Sequence, residues 1–385
     1  MTAVAVTTGL LLAFVWYGSV GHSAVDAMAS APPDRARLAA ASPHRGSVGG
    51  DAAASHRLIP GIQVPAPRPP AQKGIVLGLY SEDPGWDYQP LLQEIHQTGA
   101  NYVSIVVAYY LADIHAVRIT RHPRYSAPDS VLVRTIRQAH RLGLRVMLFP
   151  ILRVLYKPTP QDWRGNLAPS DRTALQRAYQ DLMTHLARLA QKNGVEVLSV
   201  GSELSSLDVD PDWFRPVVAS VRRYYKGVLT YSANWDHYDK SRIWDLVDQV
   251  GLCAYFEITS KETGATVSDM IAGWRVLRRK LDQWVAARHK KLLFTEVGYM
   301  SQQGAAHAPW NEGAMRRLDL EEQRRAYEAF IRVWNGDEHL AGAYFWNWYG
   351  WGGSKDRSYT PRRKPAVATL AWWYGGAVPK WWFPR

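Results

Sequence analysis

Two glutamates in the sequence each stand where an apolar run ends. Glu203 lies in VEVLSVGSEL (residues 195–204), and Glu296 lies in KKLLFTEVGY (residues 290–299). Cleavage of a glycosidic bond uses such a pair: one carboxyl group protonates the leaving oxygen, and the other attacks the anomeric carbon or activates water. The two groups lie about 5–5.5 Å apart for retention of configuration and roughly 6.5–9.5 Å apart for inversion. The pair therefore predicts glycosidase chemistry if the fold brings both side chains together.

The two glutamates belong to a series of eight apolar, β-branched runs. These runs lie at residues 75–80, 102–110, 145–150, 195–200, 228–232, 247–255, 292–297 and 342–346. Nearly continuous apolar runs of this length indicate parallel strands that are buried on both faces. Glu203 and Glu296 then follow the fourth strand and end the seventh.

Amphipathic segments separate most of these runs. Helical patterns lie at residues 88–98, 130–142, 171–193, 212–225, 267–289 and 321–334. Gly99, Gly143 and Gly194 each follow a helix as a stop signal. The alternation of strands and helices predicts a (β/α)₈ barrel. A doubly wound open sheet is the alternative, but its glycine-rich phosphate turn does not match GLYS at residues 78–81.

Polar and aromatic residues follow nearly every predicted strand. In a barrel these strand ends meet on one face, where active sites lie. They supply Tyr80, Glu82, Trp86, Tyr109, Tyr110, Arg153, Tyr156, Asn234, Trp235, Asp236, Tyr255, Glu257, Tyr299, Trp346, Asn347, Trp348 and Trp351. Carboxylates, amides and flat rings are what a polysaccharide groove needs, so we predict a sugar-binding cleft.

The composition fits this prediction. The chain has 385 residues, and its 17 Trp and 20 Tyr exceed its 8 Phe. Trp and Tyr combine a flat apolar face with a polar tip, which suits stacking under sugar rings. Filling the core is the alternative use for these rings, and we assign about half of them to it.

The charged and metal-binding residue types exclude other classes of function. The formal net charge is +12, but the basic residues are scattered in short groups such as Arg222-Arg223 and Lys290-Lys291. We find no nucleic-acid-binding motif, and the twelve His show no metal-ligand spacing. We therefore expect a polysaccharide or oligosaccharide partner, no nucleic acid, no metal and no cofactor. Cys253 is the single cysteine, so no internal disulfide can form.

The N-terminal residues have a different composition. Residues 3–20 are apolar and almost uncharged, and residues 30–72 are rich in Ala, Pro, Gly and Ser. We interpret residues 1–29 as a signal peptide or membrane anchor, residues 30–72 as a disordered linker and residues 73–385 as one catalytic domain. The export segment predicts a protein that is secreted, periplasmic or anchored outside the cytoplasm. We expect it to be a monomer.

Taken together, the motifs resemble a known family. They are GSEL (201–204), LTYSANWD (229–236), VGLCAYF (250–256), LFTEVGY (293–299), WRG (163–165) and FWNW (345–348). The pattern is similar to the retaining barrel glycosidases of clan A, and most of all to the family 113 β-mannanases and related TIM-barrel-like proteins. The resemblance covers about residues 74–373.

The resemblance implies roles for individual residues. Glu203 would be the general acid/base, and Glu296 would be the nucleophile of a double displacement on β-1,4-mannan or a related β-linked glycan. Tyr255 would bond near the nucleophile and Trp346 would stack under the sugar. The predicted substrate contacts are Tyr80, Trp86, Arg164, Ser202, Asn234, Trp235, Tyr255, Tyr299, Trp346 and Trp348. We also expect apolar neighbours to raise the pKa of Glu203.

Two residues depart from the family pattern, and they affect which sugar binds at the cleavage point rather than which reaction occurs. Ser202 stands where many clan A members have Asn and family 113 proteins commonly have Thr. Ile151 follows Pro150 where some relatives carry His. A non-catalytic glycan-binding barrel at the cell envelope is the rival function. An aldolase or isomerase barrel is a second rival, but no Schiff-base Lys or phosphate site is evident.

Overall fold

The computed structural model describes residues 66–83, 85–314 and 316–378. Eight parallel strands form one closed barrel in which each strand pairs with the next and the last pairs with the first. This confirms the predicted (β/α)₈ barrel. The strands are β1 (Gln72–Gly78), β2 (Tyr102–Leu111), β3 (Arg145–Val154), β4 (Val197–Ser202), β5 (Val228–Asn234), β6 (Gln249–Cys253), β7 (Leu292–Val297) and β8 (Leu340–Phe345).

Helices surround the barrel. They are α1 (Gln89–Gln97), α2 (Asp129–Arg141), α3 (Arg172–Lys192), the single turn α4 (Ser205–Asp208), α5 (Pro211–Tyr224), α6 (Val267–Ala286), α7 (Leu320–Trp334) and α8 (Pro365–Tyr374). All six predicted helices are present. Between β5 and β6 the chain forms a 3₁₀ turn, Trp244–Leu246, where the sequence also carries no helical pattern. A second 3₁₀ turn, Arg164–Asn166, follows β3.

The longest helices begin at side-chain caps that the sequence encodes. The Asp171 carboxylate accepts the Ala174 N–H at the start of α3. At the start of α6, Thr266 and Asp269 form a capping box in which each side chain accepts the other residue's backbone N–H. Such caps satisfy N–H groups that have no partner inside the helix, and they fix where each helix begins.

Aromatic rings fill the layer between β7 and its helices. Phe294 packs edge-on against Trp334 of α7 at 4.8 Å between ring centroids, and Trp274 of α6 packs against Phe330 at 5.2 Å. All four side chains are fully buried. Aromatic pairs of this geometry contribute about 0.5–1.5 kcal/mol beyond their buried area. These rings serve the core, as we expected for part of the aromatic set.

The barrel closes where β8 meets β1, and the last helix reinforces this seam. The Tyr374 hydroxyl on α8 lies 2.8 Å from the Ala343 carbonyl oxygen on β8 and 3.1 Å from that of Gly74 on β1. Gly74 has no alternative there, because a Cβ atom would lie 2.1 Å from the ring of Tyr344. Tyr374, near the end of the domain, and Gly74, near its beginning, therefore stabilise the same seam between β8 and β1.

The structure moves the boundary between the linker and the domain. Strand β1 begins at Gln72, and the Arg68 N–H donates to the Asn335 side-chain oxygen at 2.6 Å beyond the end of α7. Asn335 in turn donates to the Ala66 carbonyl oxygen at 3.1 Å. Gln72, which we predicted to be linker, is therefore the first residue of the barrel, and Ala66 and Arg68 contact the domain ahead of it.

The rest of the predicted linker lies outside the described residues. So do the predicted export segment at residues 1–29 and the pair Trp381-Trp382. Within the described residues, no helix is both long enough and apolar enough to cross a membrane.

Candidate active site

The structure brings the two predicted catalytic carboxyls to the same end of the barrel. Glu296 lies in β7, and Glu203 is the first residue after β4. Both side chains are almost completely buried. Burial first, and then the negative charge of Glu203, raise the pKa of Glu296 to about 8. The negative charge of Glu203 therefore acts on the pKa of Glu296 in the same direction as burial does.

Glu296 is held by a phenol. The Tyr255 hydroxyl, just beyond β6, donates to Oε2 of Glu296 at 2.6 Å. This hydrogen bond favours the ionised carboxylate and partly offsets the rise in the pKa of Glu296. Among the described residues no N–H or O–H group donates to the other oxygen, Oε1, although the Cys253 thiol also bonds to this carboxyl and lowers its pKa. Glu296 thus keeps one oxygen available for a substrate.

Glu203 is held by a cation. The Arg164 guanidinium, on the 3₁₀ turn after β3, donates to Oε2 of Glu203, and both side chains are buried. Arg164 lies over the ring of Trp163, with 5.9 Å between the guanidinium carbon and the ring centroid. We expected apolar neighbours for Glu203. That expectation is wrong, because the carboxylate forms a buried ion pair with Arg164.

The backbone at Glu203 is unusual. Its φ angle is +53°, in the left-handed region that residues with a side chain seldom adopt. The Glu203 N–H donates to the Ser232 carbonyl oxygen at 2.8 Å, and the pairing of β4 with β5 shifts register between Ser199 and Ser202. This turn ends β4 and carries the carboxylate out of the regular strand.

Several predicted sugar contacts at the strand ends carry buried polar atoms without a hydrogen-bond partner. Within the described residues, buried atoms without a hydrogen-bond partner include Tyr80 Oη, Ser202 Oγ, Trp235 Nε1 and Trp346 Nε1. Native proteins leave few buried polar groups unpaired, so such a cluster indicates a place where a ligand's hydroxyls bind. Asn234 ends β5 beside them, and its side-chain oxygen accepts the Trp235 N–H at 3.0 Å.

A glycine allows the aromatic floor of the site to close. A Cβ atom on Gly298 would lie 3.1 Å from the ring of Tyr255 and 3.3 Å from Cβ of Trp346. Tyr359 also touches this point, and its ring packs edge-on against Tyr255 at 5.9 Å. The missing side chain at Gly298 therefore lets these three aromatic residues converge beneath Glu296.

Two predicted contacts are corrected by the structure. The ring of Tyr299 is buried 6.5 Å from that of Tyr327 on α7, in the layer between strands and helices. The Trp348 indole donates to Glu94 of α1 at 2.9 Å. Both follow a strand end, but the chain has already turned there and directs each side chain toward the helices.

Trp86 occupies an intermediate place. It is half-buried in the loop between β1 and α1, and its carbonyl oxygen accepts from Arg134 of α2 at 2.6 Å. This loop follows Tyr80 and reaches the rim of the barrel mouth.

Two groups next to the site are absent from our list of substrate contacts, although Arg153 is among the predicted strand-end residues. Arg153, near the end of β3, is buried, and its charge lowers the pKa of Tyr80, which burial otherwise raises. The signal was an arginine inside an otherwise apolar strand. Tyr359 supports Tyr255, but it lies in a long loop after β8 that carries no periodic pattern.

No group of three or more His, Cys, Asp or Glu side chains among the described residues could hold a metal ion.

Comparisons with known proteins point to one family. The family model described as Glycoside Hydrolase Family 113 matches residues 85–359. A search of curated proteins finds no match.

Among solved structures, the chain is similar to the GH113 β-mannanase AaManA from Alicyclobacillus acidocaldarius in complex with ManMIm. That likeness has a TM-score of 0.71 and 25% identity, and covers 80% of this chain and 97% of that one. A GH113 β-1,4-mannanase gives 0.69 and 22%, covering 80% and 100%. A family 5 mannosidase from Rhizomucor miehei gives 0.56 and 11%, covering 80% and 94%. The last two likenesses, below 25% identity, show the fold alone.

Proposed function

Because the chain belongs to Glycoside Hydrolase Family 113, we propose that this glycoside hydrolase is a retaining β-mannanase acting on β-1,4-linked mannan. Glu203 is the general acid/base and Glu296 is the nucleophile. The observation that carries the proposal is the buried pair of mutually repelling carboxyls on the tips of β4 and β7. The unpartnered buried polar atoms of Tyr80, Ser202, Trp235 and Trp346 support it as groups that could bond a sugar.

Two buried carboxyls that repel each other favour a state with one proton between them. Double displacement requires that state, with one protonated acid and one carboxylate. The hydrogen bond from Tyr255 stabilises ionised Glu296 and opposes the rise in its pKa that burial causes. Arg164 stabilises ionised Glu203. The position of the proton therefore depends on which hydrogen bonds the substrate adds.

In the first step, Oε1 of Glu296 attacks the anomeric carbon while Glu203 gives its proton to the leaving oxygen. This step forms a glycosyl ester. In the second step, ionised Glu203 removes a proton from water, which attacks the same carbon and releases Glu296. Two inversions at one carbon retain the β configuration.

Mannan is the substrate class that the solved relatives support. The solved relative at 25% identity is a GH113 β-mannanase. Ser202, immediately before Glu203, carries a buried hydroxyl without a partner in the described structure, which supports its proposed bond to a sugar hydroxyl. Ser offers one hydroxyl where the amide of Asn offers two donors and an acceptor, which suits a different sugar hydroxyl geometry.

The test uses azide and a β-mannoside with a 2,4-dinitrophenyl leaving group, which departs without protonation. Glu296→Ala with azide is expected to release the α-glycosyl azide, since azide replaces the nucleophile and inverts the configuration once. Glu203→Ala with azide is expected to release the β-glycosyl azide, because the ester on Glu296 still forms first. Product configuration is measured by NMR.

The same experiment distinguishes the reverse assignment, which the ion pair between Arg164 and Glu203 would favour. In that case Glu203→Ala would give the α-azide and Glu296→Ala the β-azide. If both variants hydrolyse mannan as well as the wild type does, neither residue is catalytic and the proposal fails.

A further inference from the structure

A buried chain of hydrogen bonds lies directly behind the proposed acid/base. The Leu204 N–H, next to Glu203 in the chain, donates to the Tyr231 phenol oxygen at 2.8 Å. The Tyr231 hydroxyl donates to Oδ2 of Asp208 at 2.8 Å, and Nε2 of His237 lies 3.1 Å from Oδ1 of the same carboxylate. Tyr231 and Asp208 are completely buried.

This chain ties three elements to one another. Tyr231 comes from β5, Asp208 ends the single turn α4, and His237 lies in the loop that follows Asn234 and Trp235. The ring of Tyr231 is clamped edge-on by Phe214 at 5.6 Å and by Trp244 at 6.1 Å between centroids. The phenol oxygen is therefore a fixed point to which the turn after β4 is attached.

The attachment matters because the turn is strained at Glu203. With φ at +53°, the residue occupies a conformation that persists only where its surroundings hold it. Two N–H groups anchor it: that of Glu203 on the Ser232 carbonyl, and that of Leu204 on Tyr231. The first anchor belongs to the sheet, and the second belongs to a side chain that no element of secondary structure requires.

We propose that Tyr231 and Asp208 are positioning residues that hold Glu203 in the orientation required for proton transfer to the leaving oxygen. This inference rests on the proposed role of Glu203 as the acid. His237 extends the same network to the loop that carries the Asn234 and Trp235 sugar contacts. Binding of a sugar at that loop and placement of the acid are thereby linked through one carboxylate.

The test depends on the leaving group. Tyr231→Phe keeps the packed ring and removes the acceptor of the Leu204 N–H. For a phenyl β-mannoside, which needs protonation to leave, kcat/KM is expected to fall at least about tenfold, a part of the 10²–10⁴ that a general acid contributes. For the matched 2,4-dinitrophenyl substrate it should stay within about twofold, since that group leaves without an acid. A general loss of folded structure would lower both equally.

Tyr179→Phe is the matched control. Its buried hydroxyl donates to the Val200 carbonyl oxygen of β4 at 2.8 Å, so the variant also removes a phenol hydrogen bond beside this strand. It does not touch the turn at Glu203, and both substrates should be cleaved as by the wild type. If Tyr231→Phe does not fold by circular dichroism, Asp208→Asn takes its place with the same expected selectivity.

The outcomes separate the two proposals. Glu203→Ala must itself lose the phenyl substrate far more than the dinitrophenyl substrate. If it does not, the acid role fails, and the positioning role falls with it. If Glu203→Ala is selective, and Tyr231→Phe either loses both substrates equally or loses neither, only the positioning role is overturned.

Discussion

The tips of β4 and β7 each carry a buried glutamate at the same barrel mouth, yet they hold it in different ways. Glu296 stays within its strand and receives one neutral hydrogen bond, from Tyr255. Glu203 stands on a left-handed turn, pairs with the Arg164 cation, and is anchored through Tyr231. The sheet positions Glu296, and burial is the main influence on its pKa. A loop positions Glu203, and the charge of Arg164 stabilises its carboxylate. Equivalent positions in a symmetric fold thus acquire different chemistry from their surroundings.

The largest expected effect concerns burial at the β7 tip. Burial and the charge of Glu203 raise the pKa of Glu296 from 4.5 to about 8. Between these values the folded protein keeps a proton that the unfolded chain has released. The free energy of unfolding therefore falls as pH rises through this window, by up to about 1.4 kcal/mol per pH unit.

Glu296→Gln removes this titration and should flatten the dependence, as measured by urea unfolding at pH 5, 6.5 and 8. Glu321→Gln, on a half-exposed carboxylate of α7, is the control and should follow the wild type. Parallel curves for the wild type and Glu296→Gln would contradict the account of burial given for this carboxyl.

The next effect tests the charge at the β4 tip. Arg164→Met leaves Glu203 buried without its cation, and breaking a buried ion pair on one side costs about 3 kcal/mol of unfolding free energy at pH 7. The double variant Arg164→Met/Glu203→Gln should recover most of that loss. If Arg164→Met costs less than about 1 kcal/mol, in the range of an exposed pair, the two tips are not held differently.

The hydrogen bond from Tyr255 to Glu296 predicts a smaller effect, a shift of the pH profile in one direction. Tyr255→Phe removes a hydrogen bond to the ionised form of Glu296, so the pKa of that carboxyl rises further. Since a nucleophile must be ionised, the acidic limb of the kcat/KM profile should move to higher pH by about one unit. A shift to lower pH, or an unchanged limb, would argue that Glu296 does not act as a carboxylate.

The smallest effect checks a correction that the structure makes. The Tyr299 hydroxyl is buried against the helices, next to the Trp274 indole of α6. Tyr299→Phe removes at most that contact, which lies away from the sugar cleft, so kcat/KM should stay within about twofold of the wild type. A clear rise in KM would return Tyr299 to the sugar cleft where the sequence pattern placed it.

The sequence predicts the strands and the two glutamates because both depend on local pattern. Continuous apolar runs identify strands buried on both faces, and closing them into a barrel brings Glu203 and Glu296 to one mouth. The partner of Glu203 could not be derived in this way, since Arg164 lies in a loop without periodicity. Tyr299 and Trp348 were misassigned for a related reason: beyond a strand, the path of the loop decides where a side chain points.

The same limit explains the positioning network. Tyr231 lies inside a strand and looks like an ordinary core aromatic, and Asp208 looks like a helix-end acid. Their meeting behind Glu203 depends on the register of β5 against β4, which shifts at the Glu203 turn. Such a shift has no signal in either strand alone.

The seam between β1 and β8 has a consequence for the order in which the molecule is made. Strand β1 is among the first parts of the domain to leave the ribosome, but its partner β8 follows more than two hundred residues later, and Tyr374 later still. Until then β1 has one open edge, and the ring cannot close during synthesis of the earlier units. The catalytic mouth is thus assembled only in a finished chain, so a truncated product carries both glutamates without a cleft between them.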